Sequence, residues 1–150
     1  MRALILGAAT LAFMASPALA SDRTDILATV HQYAHSFIIG DAKAGAALCT
    51  PDASVIDDFP PHAWRGTSAC ADWSSAAAAF FQQQGITGAK VSVGASGHLQ
   101  IEGSAAYGVY PSVVSFKQKG KAVSQHGLWT FAMRKGPAGW RIAAWAWSDK

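Results

Sequence analysis

The sequence predicts a single α+β domain, with helices in its first half and an antiparallel sheet in its second half. Up to Gly85, apolar residues recur mainly at the three-and-four spacing of amphipathic helices. From Ala89 onward the period changes to two, which is typical of strands, and breaks at Gly97 and Gly103 separate the runs. The chain has 150 residues, of which 51% are hydrophobic. A chain of this length can bury one hydrophobic core but is too short for two domains.

The first 20 residues are typical of a cleavable secretory signal. Arg2 precedes the apolar run Ala3 to Met14, and an Ala-x-Ala site ends at Ala20. The run is shorter than the roughly 20 residues that span a bilayer, so we expect cleavage rather than a membrane anchor. The mature domain would then occupy residues 21–150, in the periplasm or outside the cell. No later segment has the length and hydropathy of a membrane span.

The two cysteines, Cys49 and Cys70, would mature in an oxidising compartment if the chain is exported. We therefore expect a disulfide, which would close a loop of about 20 residues and contribute about 3 kcal/mol. Two buried free thiols are the alternative. His31 and His35 are four residues apart on a predicted helix, but no third ligand lies nearby, so we expect exposed histidines, no metal site and no cofactor.

The charge pattern argues against a nucleic-acid partner. The formal net charge is +3, and the cations are scattered except for Lys117, Lys119 and Lys121, which surround Gly120. That cluster is small and lacks interleaved aromatic residues. We expect these lysines to lie at the solvated tip of a hairpin.

The first two helices have clear start and stop signals. Ser21 and Asp22 supply capping and negative charge at the start of a helix whose apolar stripe ends at Ile38. Gly40 is expected to end this helix in a left-handed conformation. Asp41 then caps a shorter second helix that runs to about Cys49.

A short strand is predicted from Ala53 to Phe59, and it carries two adjacent carboxylates, Asp57 and Asp58, near its end. Pro60 and Pro61 stop regular pairing. Residues 66–68 indicate the entry of a third helix, which a glycine at position 85 ends.

The later strands carry large aromatic residues. Trp129, Phe131 and Met133 share a face of the next-to-last strand, and Trp145 and Trp147 share a face of the last. Since both faces of this sheet carry apolar side chains, one should cover helices. The other would line a pocket or contact a second subunit.

This order of elements resembles the cone-shaped fold shared by nuclear transport factor 2, ketosteroid isomerases, scytalone dehydratase and SnoaL-like polyketide cyclases. The similarity spans nearly all of the mature chain and is carried by four segments: Tyr33 to Asp41, Cys49 to Asp57, Arg65-Gly66, and Gly139 to Ile142. The resemblance implies three N-terminal helices packed on a curved mixed or antiparallel sheet with a central pocket. This superfamily contains both enzymes and non-enzymes.

The resemblance to ketosteroid isomerases implies two catalytic residues. The Asp that moves the proton in that family falls on Asp57, and the tyrosine that stabilises the developing enolate falls on Tyr33. A carboxylate beside apolar walls has a raised pKa, which suits it to act as a base, and a phenol can stabilise an oxyanion. Asp58 could exchange roles with Asp57 if a bulge shifts the register. A structural role for Asp57, capping a turn or pairing with Arg65, is the alternative.

The third part of that family's site, a protonated acid on a late strand, has no counterpart, because residues 124–134 contain no Asp or Glu. His126 or Trp129 could substitute as the donor. The missing acid argues against steroid isomerisation itself.

The sequence therefore favours an exported pocket protein that binds a small apolar or aromatic molecule. If it is an enzyme, we expect acid–base chemistry like that of an isomerase, a cyclase or a dehydratase. The candidate ligand-binding residues are aromatic: Phe59, Trp64, Trp129, Phe131 and Trp145. The alternative function is a non-catalytic scaffold or binding module of the same fold. Either could be a homodimer.

Overall fold

The computed structural model describes residues 17–95 and 97–150, with side chains described from Ser21 onward, except that of Ser96. It confirms an α+β fold with helices packed on one face of a mixed sheet. The helices are α1 (Pro17–Ile38), α2 (Ala42–Ala47) and α3 (Ala69–Gln84). The strands are β1 (Cys49–Ile56), β2 (Ala63–Arg65), β3 (Ile86–Val93), β4 (His98–Glu102), β5 (Ala105–Gln118), β6 (Lys121–Gly136) and β7 (Gly139–Asp149).

The described part of helix α1 runs from Pro17, so the helix extends ahead of the capping signals that the sequence offers at Ser21 and Asp22. Asp22 therefore lies within the helix, where its buried carboxylate accepts hydrogen bonds from Lys135 Nζ at 2.6 Å and Trp140 Nε1 at 2.9 Å. This cluster joins α1 to β6 and β7. The predicted signal sequence lies largely outside the described residues.

The other helix ends follow their sequence signals. Gly40 has a φ of 72°, and the side chain of Asp41 accepts a hydrogen bond from the backbone N–H of Ala44 at 2.9 Å. Ser68 precedes α3, and Gly85 ends it in the left-handed region with a φ of 64°. Left-handed glycines at helix ends avoid the steric cost that a Cβ would bring.

The strand order in the sheet is β2-β1-β7-β6-β5-β3, with β4 paired to β5. All pairs among β3 to β7 are antiparallel, as expected, but β1 pairs with β7 in parallel. Because β1 pairs with β7 from Cys49 onward, it lies earlier in the chain than predicted. The short strand β2 was not predicted. It closes a hairpin in which the N–H of Asp57 donates to the carbonyl oxygen of His62.

Strand alternation divides the sheet into two faces. The inner face packs on the helices, and one of its register rows crosses five strands through Val55, Trp145, Phe131, Gly108 and Leu99. Val55, Trp145 and Phe131 in this row are buried. The predicted disulfide between Cys49 and Cys70 is confirmed and joins the start of β1 to α3. Among the described helices, none is long and apolar enough to cross a membrane.

Candidate functional site

A cavity of about 480 Å³ lies between the inner sheet face and helices α1 and α3. Its walls are mainly aromatic and include the rings of Phe37, Phe59, Trp73, Trp129, Trp145 and Trp147. Polar side chains also line it: Asp57, Asp58, Gln118, Ser124 and Gln125. Its size and apolar walls are those of a small-molecule pocket.

Asp57 lies directly after β1 and brings a half-buried carboxylate to the cavity wall. Its Oδ2 accepts a hydrogen bond from Trp73 Nε1 at 2.7 Å, and its Oδ1 accepts one from the backbone N–H of Asp58 at 2.8 Å. Burial disfavours the charged form and the carboxylate of Asp58 adds repulsion. The two hydrogen bonds favour the charged form and lower the pKa, but burial and repulsion outweigh them. The pKa of Asp57 is therefore raised to about 7. A carboxylate with such a pKa can both accept and return a proton near neutral pH.

Tyr33 lies behind the aromatic wall rather than in it. It is 2% exposed, its hydroxyl accepts a hydrogen bond from Trp145 Nε1 at 2.9 Å, and it is absent from the cavity lining. Its ring centroid is 5.9 to 6.1 Å from the rings of Trp73, Trp129 and Trp145. Burial, and to a lesser degree the charge of Asp57, raises the pKa of Tyr33. The side chain that donates a hydrogen bond to Asp57 is the Trp73 indole, while the hydroxyl of Tyr33 is bonded to Trp145.

Trp73 lies on the buried side of α3, and sequence reasoning missed its contact with Asp57. The two residues are 16 positions apart and lie on different elements. The period of the helix marks Trp73 as buried, but nothing in that pattern indicates where its N–H points. The β1–β2 hairpin is what brings Asp57 back to this helix.

Asp58 is exposed and belongs to a hydrogen-bonded cluster at the edge of the cavity. Gln125 Nε2 donates to Asp58 Oδ2 and to Asp149 Oδ1, both at 2.8 Å. Trp147 Nε1 donates to the same oxygen of Asp149, also at 2.8 Å. Neither Gln125 nor Asp149 was predicted as a site residue. Their roles depend on pairing between β6 and β7, which no short motif indicates.

The remaining candidates divide between the cavity and its surroundings. Phe59, Trp129 and Trp145 line the cavity. Phe131 and Trp64 are buried but lie outside the lining, where Phe131 packs against Trp129 with ring centroids 4.9 Å apart.

Two polar residues that the sequence linked to this site lie away from it. His126 is exposed and projects from β6 on the side opposite to Gln125, away from the cavity. Within the described chain, Asp57 is bonded to Trp73 rather than paired with Arg65.

The fold matches several solved structures over most of their length. A nuclear transport factor 2-like protein with a cystatin-like fold from Novosphingobium aromaticivorans is 23% identical, with a TM-score of 0.73, over 87% of this chain and 82% of that one. A nuclear transport factor 2-like superfamily protein from Salmonella enterica is 20% identical, with a TM-score of 0.73, over 87% and 92%. A ketosteroid isomerase-like protein from Erwinia carotovora is 18% identical, with a TM-score of 0.67, over 85% and 95%. At these identities the likeness shows the fold alone.

A search of curated proteins finds no match to the chain. A family model described as a SnoaL-like domain matches residues 26–148, from the third turn of α1 to the last residues of β7. The protein belongs to the SnoaL-like family.

Proposed function

We propose that the protein binds a small apolar or aromatic molecule in its cavity and that Asp57 transfers a proton on that molecule. The observation that carries this proposal is the position of Asp57. Its half-buried carboxylate meets an aromatic cavity of about 480 Å³, and its pKa is raised to about 7. Structural ion pairs seldom raise the pKa of an acid, whereas catalytic bases need this shift.

The chemistry that fits this site is cofactor-independent isomerisation, cyclisation or dehydration. Asp57 would take a proton from a carbon or oxygen atom of the ligand and return it at another position. The N–H of Trp73 holds Oδ2, so the proton acceptor keeps one orientation toward the cavity.

The test is a screen of neutral ketones and phenols for binding and turnover, followed by Asp57→Asn. The amide keeps the shape of the side chain and loses the proton acceptor, so turnover should fall by at least about 10³ while the binding of these neutral compounds changes little. Tyr33→Phe should cost less, because Tyr33 does not line the cavity. Asp52→Asn is the matched control, since Asp52 is exposed and pairs with Arg134 on the surface. Full turnover by Asp57→Asn would contradict the catalytic role.

A second candidate function is a non-catalytic homodimeric scaffold, and the composition of the sheet's other face favours a dimer. Two register rows cross this face, and we call them together the outer sheet face. They consist of Ser54, Ala144, Ala132, Tyr107 and Gln100, and of Ile56, Ala146, Thr130, Val109 and His98. Neither row contains Asp, Glu, Lys or Arg. Sedimentation of the purified protein would give the oligomeric state, and a dimer with no turnover or ligand would favour the scaffold.

We also propose that the chain is exported and cleaved after Ala20. The disulfide is typical of an oxidising compartment, and the first 20 residues have the pattern of a secretory signal. Mass spectrometry of protein from the periplasm or the medium should then find Ser21 as the first residue. An intact Met1 in the exported protein would contradict cleavage.

A further inference from the structure

The charges around the cavity have one sign. Asp57 and Asp58 line it, and Asp149 lies at its edge, bonded to Gln125 and Trp147. Among the described lining residues there is no Lys, Arg or His. A neutral apolar ligand would leave these carboxylates without a counter-charge, and an anionic ligand would be repelled by them.

The aromatic walls are suited to the same charge. Indole rings are the best aromatic partners for a cation, because the face of the ring carries a negative potential. Trp73, Trp129, Trp145 and Trp147 all line the cavity, and Trp73 is also bonded to Asp57. Carboxylates and indole rings therefore line the same volume.

The protein uses this combination elsewhere for one of its own cations. The ammonium of Lys135 lies 5.9 Å from the centre of the Trp140 ring and 2.6 Å from Asp22 Oδ1. Trp140 Nε1 in turn donates to the same carboxylate oxygen. In that cluster an indole N–H orients the acid while the acid and the ring share a cation. At the cavity, Trp73 and Asp57 repeat the indole-to-carboxylate bond.

We propose that the cavity selects a ligand with a cationic nitrogen on an apolar or aromatic body, such as an aryl amine salt or a quaternary ammonium. The charged end lies toward Asp57 and Asp58, and the apolar body packs against the Trp and Phe walls. This inference rests on the proposed ligand-binding function and narrows its ligand class.

The test compares two probes of nearly equal shape, phenyltrimethylammonium and the uncharged tert-butylbenzene, by tryptophan fluorescence titration of the mature protein at pH 8. The cation has a permanent charge, so its own ionisation does not enter. We expect it to bind at least about tenfold more tightly than the neutral isostere. Equal or tighter binding of tert-butylbenzene would overturn the inference and leave the proposed binding of apolar molecules intact.

Single substitutions test which carboxylates cause the preference for the cationic probe. Asp57→Asn and Asp58→Asn should each reduce the preference for the cation by about tenfold, because each removes one carboxylate from the lining. Asp58 is exposed, so Asp58→Asn should fold even if Asp57→Asn does not. The matched control is Glu102→Gln, since Glu102 is exposed at the end of β4 and does not line the cavity.

Two further results would overturn the inference. One is an unchanged preference in both Asp variants. The other is that neither probe binds, in which case the independent screen of ketones and phenols still decides the proposed function.

Discussion

At the scale of single residues, Asp57 is held between opposing effects. Burial and the neighbouring Asp58 disfavour its charge, while the Trp73 indole and the backbone N–H of Asp58 stabilise it. The first pair of effects is larger, so the pKa rises from 3.8 to about 7. The folded protein therefore binds a proton at Asp57 that the unfolded chain has released between these two values.

This shift predicts a pH dependence of stability. Because the folded-state pKa lies above the unfolded one, the stabilisation is complete below about pH 4 and is lost as the pH rises to about 7. The free energy of unfolding should therefore fall over this range, relative to Asp57→Asn, by at most about 4 kcal/mol. Urea denaturation of both proteins at pH 4, 5.5 and 8 measures the difference. A difference that stays constant with pH would mean that the carboxylate is not desolvated.

Trp73 is predicted to control that pKa through its N–H. Trp73→Phe keeps a ring in the wall and removes the donor to Asp57 Oδ2, so the pKa of Asp57 should rise further. Stability at pH 8 should fall by about 1.5–3 kcal/mol, the usual contribution of a hydrogen bond to a charged group. Carbon-13 NMR of the Asp57 carboxyl group reads the pKa directly.

The matched control for this variant is Trp129→Phe. Trp129 lines the same cavity and is 4% exposed, but its Nε1 has no hydrogen-bond partner among the described residues. Its replacement should therefore leave the pKa of Asp57 unchanged. An equal pKa shift in both variants would assign the effect to the loss of ring volume rather than to the hydrogen bond.

At the scale of elements, β6 and β7 shape the cavity wall at Gly127. A Cβ at this position would overlap the Trp147 ring and come within 2.6 Å of the Ser148 carbonyl oxygen. Gly127→Ala should therefore displace Trp147 from the wall and cost about 1–3 kcal/mol of stability. It should also weaken ligand binding, measured by the same fluorescence titration.

Gly136→Ala provides the control on the same strand, because a Cβ there would meet no heavy atom within 4 Å. That variant should keep both stability and binding. If Gly127→Ala behaves like Gly136→Ala, the wall at Trp147 adapts without cost and its position does not define the cavity.

The local signals in the sequence account for most of the elements. Gly40 and Gly85 ended helices where expected, and alternation marked the antiparallel strands correctly. The parallel pairing of β1 with β7 was not predictable in this way, because it joins segments about 90 residues apart and depends on the whole fold. Asp22 looks like a helix cap in the sequence, but it lies within α1 and makes a tertiary contact with Lys135 and Trp140 instead.

The candidate site was predictable only in part. Asp57 was identified from the family resemblance and lies on the cavity wall, and its catalytic role stays a prediction. Tyr33 has the right residue type, but its hydroxyl is held by Trp145 behind the wall. The direction of a side chain depends on packing among Trp73, Trp129 and Trp145, which a periodic pattern does not encode.

At the scale of the whole molecule, the sheet has two unlike faces. The inner face supplies the core and the cavity, while none of the helices that the structure describes packs on the outer sheet face. Ile56 is 51% exposed and Tyr107 is 46% exposed on its two rows, neither of which contains Asp, Glu, Lys or Arg. Uncharged and partly apolar faces of this kind are typical of subunit contacts.

The last prediction is therefore that two copies of the chain associate through the outer sheet face. Ile56→Asp would place a carboxylate within that contact, and burying an unpaired charge costs several kcal/mol. The dissociation constant of the dimer, measured by analytical ultracentrifugation, should then be at least about 100-fold higher than that of the unaltered chain. Ile39→Asp is the matched control, because Ile39 is 59% exposed just beyond α1 and lies off the sheet. A dimer that persists in Ile56→Asp, or an unaltered chain that is monomeric at high concentration, would contradict this arrangement.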